Sequence, residues 1–362
     1  MPISNLARTD DVSGFRADPV DAVITWVDGQ DPDHARIRRI HAKKSSKKEM
    51  KPIPTGDSLT RFMDNGELGF CLRSIRLFAP WIQTIYLVTD GQCPAYLTPE
   101  VRDRFNIRIV DHKEIFRGLE WALPTFNSRT IETVLWRIEG LSEKFLYFND
   151  DIFLARPIER TELFQGDRPV LRGHWRRIGT YGPVRLQLNR FFSRLSKEIF
   201  GITRSMHHLL QMRSAQLAGM ENRYFRVPHL PRPLRLSPLK EFYDRHPGIL
   251  EKNITHRFRS HDQFSSVFLG SYLDIVQDHA VLRQPTDYTM INGEIDPAFV
   301  VRRKINQFEA GDVNFLTLQG VERLRDSLRD ELYLRLDEYM NAYDPEHLTR
   351  IDDPESWRGE SS

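Results

Sequence analysis

The 362-residue chain reads as an α/β protein built on a mostly parallel sheet. Two observations carry that reading. Four short apolar runs rich in β-branched and aromatic residues alternate with segments of helical spacing, the pattern that winds strands parallel to one another. Each run is also followed, at once or nearly so, by aspartate, and strand ends of one polarity share the rim where open parallel sheets hold their ligands. The first run, "DAVITWV" (21–27), leads into Asp28, and "TIYLVT" (84–89) leads into Asp90. "IRIV" (107–110) leads into Asp111, and "KFLYF" (144–148) into Asn149, Asp150 and Asp151. Helical patterns over 65–80, stopped by Pro80, and over 128–141, opened by Asn127 or Ser128, supply crossovers. One aspartate after a strand is an ordinary turn residue. Four acidic ends on one rim point instead to a polar site suited to a metal.

Composition divides the rest. Residues 1–19 form a polar leader without the apolar stretch of a signal peptide, and no apolar run reaches about 18 residues, so the expected compartment is the cytoplasm. Residues 20–160 hold the α/β part with the acidic rim, 161–226 a basic helical insertion, 227–345 the remainder ending in an amphipathic helix (320–343), and 346–362 a polar tail. The C-terminal helix is expected to cover the core, and the lysine-rich 43–51 to be a solvated loop. Cys71 and Cys93 sit in no metal or redox spacing and read as packed thiols.

Net charge is +2, yet from Arg168 to Leu239 fourteen Lys or Arg stand against two acids, and thirteen of the fourteen are arginine. That bias favours planar, multidentate recognition of phosphate; the competing reading is docking against the acidic remainder. No nucleic-acid-binding module is present in the sequence, so nucleic acid is not an expected partner.

The chemistry follows from the residue types. Asn149, Asp150 and Asp151 offer hard oxygen donors, which suit Mg2+ or Mn2+ rather than zinc. A hard cation beside an arginine-rich segment fits a nucleotide-activated substrate. "THRFRSHD" gathers His256, Arg257, Arg259, His261 and Asp262; here Arg259 can bridge phosphate oxygens and a histidine can move a proton near neutral pH. In "VPHLPRP" prolines limit the backbone around His229, which matters if its ring faces the acidic rim. Trp26, Asp28 and Gly29 in "WVDG" could stack a nucleobase and meet a ribose, or Trp26 could be a core residue. Asn127, Ser128 and Arg129 open a helix, either an anion site or a cap, with Glu132 one turn further in.

The stretches "DAVITWVDGQDP", "ELGFCLRSIRLFAPWIQTIYLVTDGQCPAYL", "VRDRFNIRIVDHKEIF", "LPTFNSRTIETVLWRIEGLSEKFLYFNDDIFLARPI", "HLPRPLRLSPLKEF" and "THRFRSHDQFSS" together resemble the Stealth family, closely over 20–158 and recognisably again over 227–267. The resemblance implies a Rossmann-like fold of glycosyltransferase-A type. It implies transfer of sugar-1-phosphate from a UDP-sugar donor to a glycan acceptor, releasing UMP, with Mg2+ or Mn2+ as cofactor. It further implies work at the inner face of the membrane, beside polysaccharide machinery. Carried over by motif, Asp151 is the essential carboxylate with Asp150 beside it, and His229 and Arg259 complete the catalytic set. Trp26, Asp28 and Gly29 match the nucleotide end. Two departures stand out. "VNFLTLQG" (313–320) carries Gln319 and Gly320 where the family has an Asn-Asp pair, and Asp262 falls one position nearer to "HRFR" than the pattern. A glycosyltransferase releasing UDP, and a non-catalytic sugar-nucleotide or polyanion binder, are the competing readings.

Overall fold

The structure is a computed structural model that describes residues 18–45, 66–178, 207–260, 262–346, 349 and 351. The leader up to residue 17, residues 46–51 of the lysine-rich stretch, the centre of the basic insertion (179–206), His261 and most of the polar tail lie outside the described residues; residues 43–45, expected in a solvated loop, instead end the helix Pro32–Ser45. Strands numbered along the chain are β1 (Val20–Thr25), β2 (Ile85–Thr89), β3 (Ile107–Asp111), β4 (Lys144–Asn149), β5 (Ile152–Leu154), β6 (Phe164–Gln165) and β7 (Arg168–Arg172). They continue with β8 (His174–Arg177), β9 (Arg223–Arg226), β10 (Arg232–Arg235), β11 (Val281–Arg283), β12 (Tyr288–Asn292) and β13 (Phe315–Gln319).

The central sheet has the order β10-β4-β1-β2-β3, with β1 to β4 parallel and β10 antiparallel at the edge beside β4. The parallel strands are apolar almost throughout because helices cover both faces. Alternate residues feed two cores: Ala22, Ile24, Leu146 and Phe148 enter one, Val23, Phe145 and Tyr147 the other. The first core is closed by the helix Glu67–Phe78 and the C-terminal helix Asp326–Tyr343, whose Leu332, Tyr333, Leu336 and Met340 are buried, as its amphipathic pattern required. The second is closed by the helices Leu236–Arg245 and Ser266–Val276. Asp21, buried at the opposite rim, accepts from the backbone N–H groups of Thr84 (3.0 Å) and Ser142 (2.8 Å), which fixes where β2 and β4 begin.

Register aligns the carboxyl ends: Thr25 lies opposite both Asn149 and Val88, and Thr89 opposite Asp111. After the turn at Asp150 and Asp151 the chain leaves this sheet as β5, which pairs antiparallel with β13, itself parallel to β12. Gly293 lets the turn after β12 close on the end of β13, since a Cβ there would stand 2.0 Å from the Gly320 carbonyl oxygen.

The helix expected over 128–141 is shorter. It spans Ser128–Glu132, followed by one 3₁₀ turn, Leu135–Arg137. Thr130, Ile131, Thr133 and Val134 are β-branched and crowd a helix, while Arg137 donates to the carbonyls of Ile115 (2.8 Å) and Arg117 (2.6 Å) rather than continuing one. Among the described residues no helix is long and apolar enough to cross a membrane.

Burial also sets a pH response. Asp274, with Arg235 Nε at 2.9 Å, has its carboxyl pushed up to about 6 by desolvation. A carboxyl whose folded pKa lies above its ordinary value of 3.8 favours the fold most at acid pH and loses that contribution as pH rises to about 6. We expect Asp274→Asn to flatten a fall in stability of up to ~3 kcal/mol between about pH 4 and pH 6, read from urea unfolding curves.

Candidate active site

His229 sits on the loop entering β10, and its Nε2 donates to the Asp151 carboxylate, 3.1 Å from Oδ1 and 3.3 Å from Oδ2. Strand β13 holds both partners by their backbones. Thr317 Oγ1 donates to the His229 carbonyl (2.7 Å), and Leu318 N–H to the Asp151 carbonyl (2.9 Å). The two side chains are 22% and 24% exposed, so the pair is fixed yet reachable from solvent.

Charged groups back this pair. Desolvation raises the pKa of Glu132, opposed by a hydrogen bond from Ser265 Oγ (2.6 Å to Oε2) and by the charges of Arg129, Arg232 and His229. Arg232, 5% exposed, lays its guanidinium over Phe268 at 4.0 Å, and burial brings its pKa down to about 10, which leaves it charged at neutral pH. His207 packs edge-on to His229 with ring centroids 5.9 Å apart, and desolvation lowers its pKa well below the usual imidazole range. Tyr147 shares a 3.0 Å hydrogen bond with Thr25 and is driven upward by burial, then by Glu132. Its hydroxyl stays protonated.

The segments "LPTFNSRTIE" and "THRFRSHD" are joined. Arg259 Nη2 donates to Ser128 Oγ (2.8 Å), Arg129 Nη1 to the Ser260 carbonyl (2.8 Å), and Asn127 Nδ2 to the His256 carbonyl and Gln263 Oε1 (both 2.8 Å). Asn127, 1% exposed, also accepts from Arg129 N–H, so its side chain serves the fold rather than an anion. Arg129 is likewise buried. His256 is half-buried, and its carbonyl accepts from Thr130 as well. The same five-residue helix thus presents Ser128 to Arg259 and carries Glu132 towards His229.

The nucleotide-end residues lie at the neighbouring strand end. Trp26 is 7% exposed and belongs to the apolar core, the alternative open to it in the sequence. Gln92 brackets Asp28, accepting from its N–H and donating to its carbonyl (both 2.9 Å), and Asp28 Oδ1 takes the Gln30 N–H. Gly29 is buried between them.

The four acidic strand ends share a rim but do not form one metal site, which corrects the expectation drawn from them together. Asp90 faces His112 (3.5 Å) and His34 (3.8 Å), and Asp111 caps a helix through Lys113 N–H. Strands lie about 4.8 Å apart, so β3 ends some 14 Å from β4, too far to share a cation. Among the described residues no group of three or more His, Cys, Asp or Glu side chains could hold a metal. What remains is Asp150, Asp151 and the Asn149 amide. These are half-buried hard oxygen donors, and they fit a Mg2+ or Mn2+ ion that takes its other ligands from water and phosphate. Cys71, 3.8 Å from the Asn149 carbonyl, is no ligand, since burial raises its thiol pKa well above the usual range.

Sequence reasoning passed over Arg232, Ser265 and Thr317. Arg232 had a signal, lying in the same Pro-bounded segment as His229; the two hydroxyls had none. Gln319 ends β13 beside the Asp150–Asp151 turn and accepts from Asn292 Nδ2 (3.2 Å), so the departure in that block falls on the rim itself. Asp262 faces Arg213 at 3.8 Å.

An open, mostly parallel sheet with its polar groups at the carboxyl ends defines a Rossmann-like α/β protein. The chain belongs to the Stealth family. Residues 18–40 match Stealth protein CR1, conserved region 1, and residues 61–170 match Stealth protein CR2, conserved region 2. The receptor polysaccharide phosphotransferase WefC of Streptococcus oralis is 30% identical over 291 residues, covering 74% of this chain and 81% of WefC. The exopolysaccharide phosphotransferase SCO2592 of Streptomyces coelicolor is 45% identical over 146 residues, which is 40% of this chain and 15% of SCO2592. The match thus spans only a small part of that longer relative. Among solved structures, the galactosyltransferase LgtC covers 94% of the chain at 12% identity with a TM-score of 0.39.

Proposed function

We propose that the protein transfers a hexose- or N-acetylhexosamine-1-phosphate from a UDP-sugar to a glycan hydroxyl, releasing UMP and building phosphodiester links in capsular or exopolysaccharide. The observation that carries this reading is the His229–Asp151 pair at the carboxyl rim, in a family whose relatives are named polysaccharide phosphotransferases. A carboxylate can only accept, so Nε2 carries the proton and the lone pair lies on Nδ1. His229 then takes the proton of the acceptor hydroxyl as its oxygen attacks the β-phosphorus. The bond from that phosphorus to the bridging oxygen breaks, and UMP leaves with the bridging oxygen. Arg259, steadied by Ser128, stabilises charge on the transferring phosphoryl group, and Arg232 adds a fixed positive charge behind the pair. Asp28, Gly29 and His256 serve the donor end. Asp150, Asp151 and Asn149 would hold Mg2+ or Mn2+, which when bound supplies neutralisation of the diphosphate charge. The enzyme works in the cytoplasm, at the inner face of the membrane.

The test is the nucleotide product, with a panel of UDP-sugars, Mg2+ or Mn2+, and a glycan acceptor. The expected result is UMP that forms only when acceptor is present. UDP would make the protein a conventional glycosyltransferase, and turnover of neither kind with a competent acceptor would favour a binding protein.

A further inference from the structure

Much of the arginine-rich segment is spent on the fold. Arg172 pairs with Glu162 and Asp287, Arg213 with Asp262, Arg235 with Asp274, and Arg168 donates to backbone carbonyls. Four arginines are different. Arg176 and Arg177 on β8, and Arg223 and Arg226 on β9, have no carboxylate within ion-pairing distance among the described residues. The two strands form a separate antiparallel ribbon, with Arg177 opposite Arg223, Trp175 opposite Phe225, Arg176 opposite Tyr224 and His174 opposite Arg226.

Alternation gives the ribbon two basic faces. On one, the Arg223 guanidinium lies 4.3 Å over the Trp175 ring, which is 39% exposed and rests edge-on against Phe225. On the other, Arg176 and Arg226 flank His174, and His208 Nδ1 stands 3.5 Å from the Tyr224 hydroxyl. Desolvation first, and then the charges of Arg176 and Arg226, lower the pKa of both histidines. The ribbon also leads into the active site by two routes: Arg226 lies three residues before His229, and His208 adjoins His207, whose ring meets that of His229.

We propose that the Trp175 face of this ribbon binds the growing acceptor polymer, a glycan whose sugars are joined by phosphodiesters, with Arg177 and Arg223 taking its phosphates and Trp175 stacking on a sugar ring. The inference rests on the proposed function, because phosphodiester transfer yields a chain with a negative phosphate at every linkage it forms. Guanidinium forks suit phosphate oxygens, and an exposed indole suits the C–H face of a sugar. A lipid surface would call for an apolar face to insert, and the ribbon exposes a single ring among charges.

The test measures binding of the full chain to a size-fractionated, phosphodiester-linked N-acetylhexosamine polysaccharide, with neutral dextran and phosphatidylglycerol-doped vesicles in parallel. The expected result is salt-sensitive binding of the polymer and none of dextran. The variant Arg177→Ala/Arg223→Ala should weaken polymer binding roughly tenfold and flatten its salt slope. It should also lower the ratio of long-chain to single-repeat kcat/KM. Should that variant fail to fold, Arg177→Gln alone, at an exposed position, reports the salt slope. Unchanged affinity and slope in a folded variant would overturn the proposal, as would vesicle binding without polymer binding. Failure of the underlying reading shows separately, as UDP in place of UMP from a single-repeat acceptor with the wild-type chain.

Discussion

Asp151→Asn is expected to lower UMP release by about a thousandfold while leaving the melting midpoint close to that of the wild type. The carboxylate is a quarter exposed and makes its side-chain contact with His229, so replacement by the isosteric amide disturbs little packing. The chemical change is larger. An amide can turn its NH2 towards Nε2, which then has to accept, and the ring proton moves to Nδ1, where the proposed base needs a lone pair. The substitution also removes one of two carboxylates suited to a cation. His229→Ala should cost a comparable factor, and the double variant should be at most a few-fold worse than the poorer single one, because both delete one working unit. Multiplicative losses in the double variant would show that the two act independently. Near wild-type turnover in His229→Ala would end its assignment as base.

That pair shows how far the sequence could be read. Asp151 was marked by two carboxylates closing an apolar run, and His229 by the prolines around it; what made His229 matter was a condition, that it face the acidic rim. It does, across 78 residues of chain, through a loop positioned by Thr317. The four parallel strands and the C-terminal helix were legible because burial on two faces, or on one, writes a periodicity into the residues themselves. Asn127 and Trp26 show the opposite case. Their side chains suit ligands, but exposure decides their use, and at 1% and 7% it is fixed by elements far away in the chain. Ser265 and Thr317 were invisible because one hydroxyl among many carries no pattern.

The largest stability effect is expected at Arg73. Its guanidinium is fully buried on the helix Glu67–Phe78, where Nη1 donates to Asp337 Oδ1 (2.9 Å) and Nη2 to Asn341 Oδ1 (2.7 Å), with Asp344 at 4.0 Å. These contacts, between residues 264 and 268 positions apart, tie the helix under the Asp150–Asp151 turn to the C-terminal helix. Arg73→Ala takes the guanidinium away from the Asp337 carboxylate and the Asn341 amide and opens a cavity at a fully buried position. Breaking a buried pair from one side typically costs about 3–5 kcal/mol, so the urea midpoint should fall with little change in slope. Asp337→Asn should cost less, since Asp337 is 18% exposed and an amide oxygen can still accept from Arg73. Because Arg73 touches neither Asp151 nor His229, the folded fraction of Arg73→Ala should retain its turnover per molecule. A large loss of stability with Asp337→Asn but not with Arg73→Ala would mean that Asp337 is held by something other than this arginine.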